Sequence, residues 1–474
     1  DVYKRQEDPN TGLGIAAGPD TGVGTIVSNE PTLWTSEGQY VNLNVQYDTG
    51  GGTLTSVTTF LGHKARHEED ADTQSDPWGA LGVPGTGPED QVVVWSDQDN
   101  SQFTQELRYD RELANGGNWV IGAFYMDRDA FAFERIDWGV SFDTLLGAGI
   151  GAPFGSDTDI QLLTKSWALF SQFETPLSDT VSLTVGLRYT DDDLDYSFVP
   201  DDYIRTSAGV RGDKIYLGAL PTTDSQAEDD ISGKIQLDWR PSEGTLVYAG
   251  FSRGTKGGGW NADWINGTLA VIAPFKGEVL HSFEVGVKSD LSDTVRLNAS
   301  AFTYDYQDYQ GWGFLGLAQI VSNIDAESRG LEVELTANPA EGLDILFGLA
   351  YLDAELEDGN TMPFSPEVSA NLLVRKAWDL GNGGEFAVQL DGSWYDDQEM
   401  DVFNTPSAKI FAKHNVNARI GYTNADGNLS IALKGRNITD EENRLFVVPV
   451  AFLGYDQMVY ETPSWWSVEL TYGF

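Results

Sequence analysis

Cysteine is missing from all 474 residues of the chain. Its absence excludes disulfide bonds, thiolate metal ligands and a cysteine nucleophile. Basic residues are scarce, because 29 Lys and Arg stand against 73 Asp and Glu, for a formal net charge of −44. Since proteins bind the phosphate backbone through a basic face, this balance argues strongly against a nucleic-acid partner.

Long apolar runs are missing as well. No stretch reaches about 18 consecutive apolar residues, so the sequence predicts no transmembrane helix. Aromatic residues make up 12% of the chain, whereas disordered acidic chains are poor in aromatics, so we expect a folded protein. A membrane β-barrel remains allowed, because its strands alternate between apolar and polar residues and leave no long apolar run.

The chain also lacks an initiator methionine and a signal segment at its start. Its first six residues, Asp1–Gln6, resemble a translated sequencing adaptor. We therefore expect residues 1–6 to be an artefact and the true coding sequence to begin near Glu7 of a longer gene. On this interpretation the missing signal segment says nothing about the cellular compartment.

Period-2 alternation of apolar and polar residues recurs along the chain, for example in 331–337, 416–422 and 466–474, and predicts β-strands. Tight turns rich in Gly, Asn, Asp and Ser separate pairs of these strands. The eight turns are Asp48–Thr53, Leu113–Gly117, Ser178–Thr180, Pro241–Gly244, Ser292–Thr294, Pro339–Gly342, Gly381–Gly384 and Asn424–Gly427. Long polar connections lie between them, near residues 64–98, 129–162, 191–229, 255–277, 306–326, 354–366, 396–410 and 437–463. Short turns on one side and long loops on the other are typical of an outer-membrane barrel.

Eight turns join sixteen strands, and the strand that reaches Phe474 makes about seventeen. Because bacterial single-chain barrels have an even number of strands, we expect at least one strand to be missing. The alternative is a soluble all-β protein, such as a propeller or a row of sandwiches. Those folds have regular periods, whereas here the loop lengths vary on one side only, which favours the membrane barrel.

The lipid environment assigns the two faces of each strand. Apolar rows must face lipid and charged rows the lumen, since a charge on the lipid face costs about 2–4 kcal/mol at midplane. The predicted lumen residues are Glu106, Arg108, Arg188, Lys234, Asp238, Glu284, Lys288, Arg296, Glu332, Glu334, Arg375, Arg419 and Glu469. The predicted interfacial aromatics are Trp119, Trp167, Trp239, Trp394, Trp466 and Tyr472, which suit the headgroup level.

Several segments in a fixed order resemble the barrel domain of TonB-dependent outer-membrane receptors. They are 248–261 (YAGFSRGTKGGGWN), 278–288 (EVLHSFEVGVK), 328–334 (SRGLEVE), 437–440 (NITD) and 463–474 (PSWWSVELTYGF), with 102–108 and 186–190 upstream. The family-motif residues are Arg253, Gly254, Lys256, Gly258, Gly259, Glu284, Gly286, Lys288, Gly330, Glu332, Asn437 and Asp440. Ser464 departs from the pattern, because the family usually has Arg there. The resemblance covers roughly residues 40–474.

The resemblance implies an all-β transmembrane antiparallel barrel of 22 strands with a plug domain inside it. We expect residues 7–474 to be this barrel domain, N-terminally truncated, with about 17 of the 22 strands and no plug or TonB box. The family binds scarce extracellular ligands, such as ferric siderophores, haem, cobalamin, metals or oligosaccharides. It moves them to the periplasm with energy from the TonB complex, so the resemblance implies a Gram-negative outer-membrane location and outer-membrane lipid as a partner.

The sequence indicates no enzyme, no cofactor and no metal site. Four histidines, His63, His67, His281 and His414, lie in no hydrolase signature, and no Gly-x-Ser-x-Gly elbow occurs. His63 and His67 precede an acidic stretch, but four residues along a strand span roughly 13 Å, too far for one ion. We interpret the acidic clusters as solvated surface: 68–70, 191–193, 228–230, 396–397 and 441–442. Asp70-x-Asp72 and Asp97-x-Asp99 have calcium-like spacing, but the following Gly and the distal Glu of a calcium loop are missing.

Four aromatic residues and one asparagine at the extracellular rim are the candidate ligand contacts: Trp260, Asn261, Trp264, Trp312 and Phe314. They either form an aromatic platform for a ligand or pack the loops on each other. At the C-terminus, Leu470, Tyr472 and Phe474 resemble the assembly signal of outer-membrane barrels, and membrane packing produces the same pattern.

The function predicted from the resemblance is active uptake of a scarce ligand, with a ferric siderophore or similar iron complex as the leading choice. The acidic loops favour a neutral or cationic ligand, although salt screens their field within about 8 Å. A passive porin is the alternative, and a barrel enzyme is a third one. The enzyme hypothesis requires a His–carboxylate pair that meets at the rim.

Overall fold

The computed structural model describes residues 3–7, 33–70, 92–141, 153–205, 211–215, 220–261, 273–315, 318–450 and 455–473. The strands in chain order are β1 (Tyr3–Glu7), β2 (Leu33–Asp48), β3 (Thr53–Asp70), β4 (Val92–Glu112), β5 (Asn118–Ser141), β6 (Pro153–Pro176), β7 (Val181–Arg205), β8 (Arg211–Lys214), β9 (Thr222–Ser242), β10 (Thr245–Lys256), β11 (Gly259–Trp260), β12 (Pro274–Phe275), β13 (Glu278–Ser292), β14 (Val295–Leu315), β15 (Ala318–Ala340), β16 (Leu343–Leu356), β17 (Val368–Asp379), β18 (Glu385–Tyr395), β19 (Lys413–Thr423), β20 (Leu429–Arg436), β21 (Arg444–Val450), β22 (Tyr455–Tyr460) and β23 (Trp465–Tyr472). A 3₁₀ turn spans Pro406–Ala408.

One antiparallel sheet forms the wall of the molecule. Within the described ranges it contains seventeen long strands, each paired with its sequence neighbours: β2–β7, β9, β10, β13–β20 and β23. All eight predicted tight turns are confirmed as hairpins at one end of this sheet. In the first, Asp48 Oδ1 accepts a hydrogen bond of 2.7 Å from the amide of Gly50, whose positive φ of 77° suits glycine.

The two outermost strands of the wall, β2 and β23, each have one partner: β2 pairs with β3, and β23 pairs with β20. No ladder joins β2 to β23 among the described strands. Both run towards the tight-turn end of the sheet, so they are parallel to each other and cannot close an antiparallel barrel directly. The odd strand count expected from the sequence is therefore confirmed, and the described barrel is incomplete.

The two faces of the wall separate as predicted. Apolar side chains project outward and stay exposed, as in Leu187 at 62%, Leu331 at 54% and Leu470 at 66%. The charged rows line the lumen, where Arg375 contacts Glu385 at 2.6 Å. Such cross-strand pairs compensate the charges that the lumen collects.

The upper boundary of the apolar belt lies inside the longest strands. On β6 the outward face changes from Trp167 to Lys165, and on β7 it changes from Tyr189 to Asp191. The rings of Trp167 and Tyr189 lie 5.4 Å apart across the two strands. They fit the predicted aromatic girdle, and charged residues such as Asp191 and Asp193 occupy the outward face of β7 above them.

Several of the predicted long loops are wrong in their extent. Residues 129–141 and 153–162 extend β5 and β6, residues 191–205 and 222–229 extend β7 and β9, and residues 306–315 and 318–326 belong to β14 and β15. Acidic residues on the outward face, such as Asp191 and Asp193, interrupt the apolar outward row that marks a membrane strand in sequence, whereas Tyr196 and Phe198 on the other face are apolar and buried. The ladder nevertheless continues outside the membrane, because hydrogen bonds between strands do not need an apolar face. Strands of 21 to 25 residues result.

Buried apolar clusters lie above the apolar belt, in the extracellular connections and in the extensions of the wall strands. One cluster joins Met400 and Ile410 of the β18–β19 connection to Val447, Met458 and Tyr460 of the β21–β22 hairpin. The short strand β1 pairs with β22 along its backbone, so this hairpin is part of a small three-stranded sheet. No helix in the described part of the chain is long and apolar enough to cross a membrane.

Candidate functional site

A tyrosine–glycine contact stands at the centre of the lumen wall. Tyr248 on β10 is directly opposite Gly286 on β13. A Cβ atom at Gly286 would lie only 2.5 Å from the Tyr248 ring, so glycine is what lets the ring lie flat across β13. The Tyr248 hydroxyl donates to Glu284, and Lys288 Nζ lies 5.8 Å from the ring centroid. The motif residues Glu284, Gly286 and Lys288 thus form a clamp around Tyr248.

The same device recurs one hairpin further on. Phe302 of β14 lies opposite Gly330 of β15, where a Cβ would come within 2.6 Å of the phenylalanine ring. The Phe302 ring is stacked on Tyr304 at 4.6 Å, and Tyr306 and Tyr309 continue the aromatic row upward. This aromatic ladder runs along the lumen face of β14 towards the extracellular end.

At the top of the ladder, Tyr306 and Tyr309 pack against buried residues of two extracellular connections, among them Met362 and Val402. The motif residue Glu332 belongs to the lumen face of β15, where its register partners are Ser300 and Ala350. The lumen wall at β10–β16 is therefore lined by aromatic rings and carboxylates together.

Trp260 lies on the short strand β11, above the lumen wall. Its indole is stacked on Tyr196 at 5.1 Å and donates a 2.8 Å hydrogen bond to Asp224 Oδ2. Tyr196 and Phe198 form the buried cluster against which Trp260 packs. The hydrogen bonds from the indole and from the backbone amide of Ser225 hold the pKa of Asp224 below its ordinary value.

The glycines before Trp260 permit a close approach of three chain segments. A Cβ at Gly258 would lie 2.6 Å from the Phe275 carbonyl oxygen and 2.7 Å from a Glu228 carboxylate oxygen. The backbone amide of Gly258 donates a 3.1 Å hydrogen bond to Glu228. Asn261 then exchanges two hydrogen bonds, of 2.7 and 2.8 Å, with the backbone of Val321 on β15. Residues 258–261 are thereby anchored over the extracellular end of the lumen.

Trp312 and Phe314 lie at the tip of β14 in a second aromatic group. Their rings are 4.9 Å apart, and Trp312 is 5.6 Å from Phe446 of β21. Both pack against the Met400–Val447 cluster described above. Four of the five predicted ligand contacts thus fall into two groups that each hold loops together, and the fifth, Trp264, lies outside the described residues. Contact with a ligand stays a prediction for all of them.

The other family-motif residues on β10 lie at its extracellular end. Arg253 donates to the Ile231 carbonyl and lies 3.2 Å from Asp230, which ties β10 to β9. Gly254 has open space where a Cβ would stand, and Lys256 ends the strand opposite Glu278.

The motif at 437–440 is a turn that ends β20. Asn437 is 1% exposed and adopts a positive φ of 46°. Its side-chain amide donates to the Glu441 carbonyl and accepts from the Glu441 amide, each at 2.9 Å. Asp440 accepts a 2.9 Å hydrogen bond from the amide of Ser464, immediately before β23. These residues attach the last extracellular loop to the last strand.

The residues with the proposed assembly role lie partly within the described range. Leu470 and Tyr472 project outward from β23 and are more than half exposed, whereas Phe474 lies outside the described residues. Their placement on the lipid face suits membrane packing, and the assembly role itself stays a prediction.

The histidines are placed on strands rather than in loops. His63 and His67 both belong to β3, where His63 Nε2 is 3.0 Å from Ser36 Oγ and the His67 ring is 5.2 Å from Trp34. The acidic triplets 191–193 and 228–230, expected in a loop, also lie on strands and face each other between β7 and β9. Among the described residues, His414 Nε2 lies within hydrogen-bond distance of Glu441 at the rim, at 3.0 Å, and His281 Nδ1 lies 3.7 Å from Asp305.

A charged network in the tall β5–β6–β7 hairpins had no signal in the sequence, because its members are far apart in the chain. Arg135 binds Asp157 through two hydrogen bonds of 2.7 Å, and its guanidinium lies 5.5 Å from the Phe133 ring. Tyr203 donates to Asp137 at 3.0 Å. Burial, followed by the nearby charges of Asp137 and Asp157, raises the pKa of the Tyr203 hydroxyl.

This geometry has counterparts among known proteins. The sequence model described as "TonB dependent receptor-like, beta-barrel" matches residues 2–438. The chain belongs to this family. Its members are outer-membrane receptors rather than enzymes, so the lumen clamp and the extracellular loops are parts of a receptor barrel.

Solved structures with the same fold include transport receptors of different ligands. The ferric yersiniabactin uptake receptor FyuA from Yersinia pestis has a TM-score of 0.74 and 16% identity over 94% of this chain and 62% of that one. The siderophore receptor PiuA from Acinetobacter baumannii has a TM-score of 0.68 and 16% identity over 97% and 69%. The copper transporter OprC has a TM-score of 0.64 and 14% identity over 93% and 66%. The chain thus spans less than two thirds of the length of the FyuA chain.

Proposed function

We propose that the chain is the C-terminal part of the barrel of a TonB-dependent receptor that takes up a ferric siderophore or a similar iron complex. The observation that supports this function most directly is the barrel with aromatic rings and carboxylates along its lumen, roofed by packed extracellular loops. Receptors named for ferric yersiniabactin and for siderophores share the fold. Coupling to TonB belongs to the same proposal and requires a plug domain encoded before residue 7.

The charge of the extracellular end narrows the ligand class. A hollow of about 540 Å³ lies between the β16–β17 and β18–β19 connections. Its charged lining residues are Asp353, Glu355, Glu367, Asp396, Asp397, Glu399 and Lys409. Six carboxylates lie beside one lysine, and Arg329 pairs with Asp353 at 3.0 Å, so the hollow keeps an excess of negative charge. Its field repels a polyanionic complex and attracts a cationic one, while a neutral complex is not repelled.

The test is a binding comparison with the purified chain in detergent, monitored by quenching of tryptophan fluorescence. The probes are ferrioxamine B, which is cationic, ferrichrome, which is neutral, and ferric enterobactin, which is trianionic. We expect saturable binding of an iron complex, tighter for the cationic or neutral probe, and weaker binding of the same siderophore without iron. Added salt should narrow the difference, because it screens the acidic field.

Replacement of Trp260 by Leu removes the ring from the rim and should weaken binding, whereas Trp378→Leu, on the outward face near the tight turns, is the matched control. Binding of none of the iron complexes, or saturable binding of cobalamin instead, would contradict the iron proposal. A gene that runs from a signal peptide directly into barrel strands would contradict active transport and leave a porin.

A further inference from the structure

The lipid-facing wall has a depression at one glycine. Gly392 of β18 lies in the outward row between Leu372 of β17 and Val416 of β19. An added Cβ would find its nearest side-chain atom, on Val416, 3.8 Å away, with only the Asn415 carbonyl oxygen closer, at 3.1 Å. The surface above Gly392 is therefore open.

Two other outward glycines show that this openness is not a general property of glycine in the wall. A Cβ at Gly233 would lie 2.9 Å from the Leu187 side chain, and one at Gly435 would lie 2.7 Å from the Trp466 ring. A neighbouring side chain covers each of these glycines. At Gly392, by contrast, the flanking side chains stand aside and leave a groove of about 330 Å³.

The groove follows β18 along the membrane depth. The outward side chains that line it are Phe347, Ala370, Leu372, Val374, Leu390, Trp394 and Val416. From Trp394 through Gly392 to Leu390 the strand covers five residues, and the four steps between them span about 13 Å. The other residues at its border, such as Asp391, occupy alternate positions and turn to the lumen, where Asp391 accepts a 2.9 Å hydrogen bond from Asn417.

The upper end of the groove reaches the headgroup level. Trp394 is the penultimate residue of β18, and its partner across the ladder is His414, which contacts Glu441 at 3.0 Å. An indole ring with polar groups beside it is typical of the membrane–water interface. The groove thus starts at the interface and descends into the hydrocarbon layer.

We propose that this groove, formed around Gly392, holds one acyl chain of an outer-leaflet lipid. The apolar lining and the continuity with the lipid-facing belt select hydrocarbon as the occupant. A fluid layer in contact with a flat wall has no preferred position for a chain, whereas a groove contacts the chain on three sides and holds it longer. The proposal concerns the outer wall and is independent of the transported ligand.

The experiment uses the full chain in phosphatidylethanolamine vesicles that contain a lipid with a diazirine in its acyl chain. After illumination, mass spectrometry maps the crosslinked residues. We expect crosslinks at Leu372, Leu390 and Val416 to exceed those at Val285 and Leu331, in another part of the apolar belt, by several-fold.

Ala370→Leu fills the upper part of the groove and should abolish this excess. Ala301→Leu adds the same atoms to the outward row between Val285 and Leu331. This control should leave the excess of crosslinks at the groove unchanged. Val374→Phe, which fills the groove from below, serves as a second variant if Ala370→Leu does not fold. Even labelling of the whole belt, or an excess that survives either groove-filling variant in folded protein, would overturn the proposal.

Discussion

The ring of Tyr248 lies across Gly286 on the neighbouring strand, and its hydroxyl donates to Glu284, two residues before that glycine. Three positions of one sequence motif therefore serve a single aromatic residue on another strand. Cross-strand pairs of an aromatic residue and a glycine fix register, because a slip by one residue would move the ring to the other face of the sheet. The barrel uses the pair again at Phe302 and Gly330.

Gly286→Ala is expected to destabilise the barrel by about 1–3 kcal/mol, the usual cost of overpacking. The new Cβ would lie 2.5 Å from the Tyr248 ring and force it off β13. Heat-dependent migration on gels measures the unfolding temperature. Gly254→Ala is the control, since nothing lies within 4 Å of its Cβ position. Equal unfolding temperatures for the two variants would refute the clamp.

Asn437→Ala is expected to lower the free energy of unfolding by about 1–3 kcal/mol, because it leaves buried backbone groups of Glu441 without their hydrogen-bond partner. Asn437→Asp retains the oxygen that accepts from the Glu441 amide, and aspartate tolerates a positive φ. This variant should therefore lose less stability than Asn437→Ala. Thermal unfolding of both variants checks the order. If both variants unfold at the wild-type temperature, the turn does not stabilise β23.

Acid should loosen Trp260 at a pH below the ordinary pKa of aspartate, about 3.9. The indole hydrogen bond lowers the folded-state pKa of Asp224, so its stabilising effect is present above the unfolded pKa. It is lost as the pH falls through the folded pKa. The measurement is tryptophan emission as a function of pH in the wild type and in Asp224→Asn. The change in emission at acid pH should be absent from the variant. A transition of the same size in both would assign it to another group.

Breaking the Arg135–Asp157 pair should open the tall hairpins to proteases without unfolding the wall. Arg135→Met leaves Asp157 with fewer donors in a site where its side chain is 12% exposed. We expect limited proteolysis to cut within residues 129–162 several-fold faster, with the gel-measured unfolding temperature little changed. Arg329→Met, which removes a highly exposed pair with Asp353, is the control and should not alter cleavage. Equal cleavage in both variants would show that the network does not hold the hairpins.

The sequence by itself determined the architecture. Alternation at residues such as 466–474 and the eight Gly- and Asn-rich turns depend on local chemistry, and lipid imposes one orientation on each apolar row. The odd number of strands followed from counting these turns. Ordered motifs such as 278–288 indicated the family, which the comparison over residues 2–438 confirmed.

Only the tertiary structure decided what the motif residues and the extracellular segments do. The extensions of β5 to β7 carry charged residues, such as Asp191 and Asp193, where the apolar outward row would continue, so the membrane-strand pattern did not mark them, and pairing with a neighbouring strand made them regular. The Tyr248 clamp, the two aromatic groups at Trp260 and Trp312 and the groove at Gly392 each depend on strand register. Register joins residues that are distant in the chain, and it is fixed only when the whole sheet has formed.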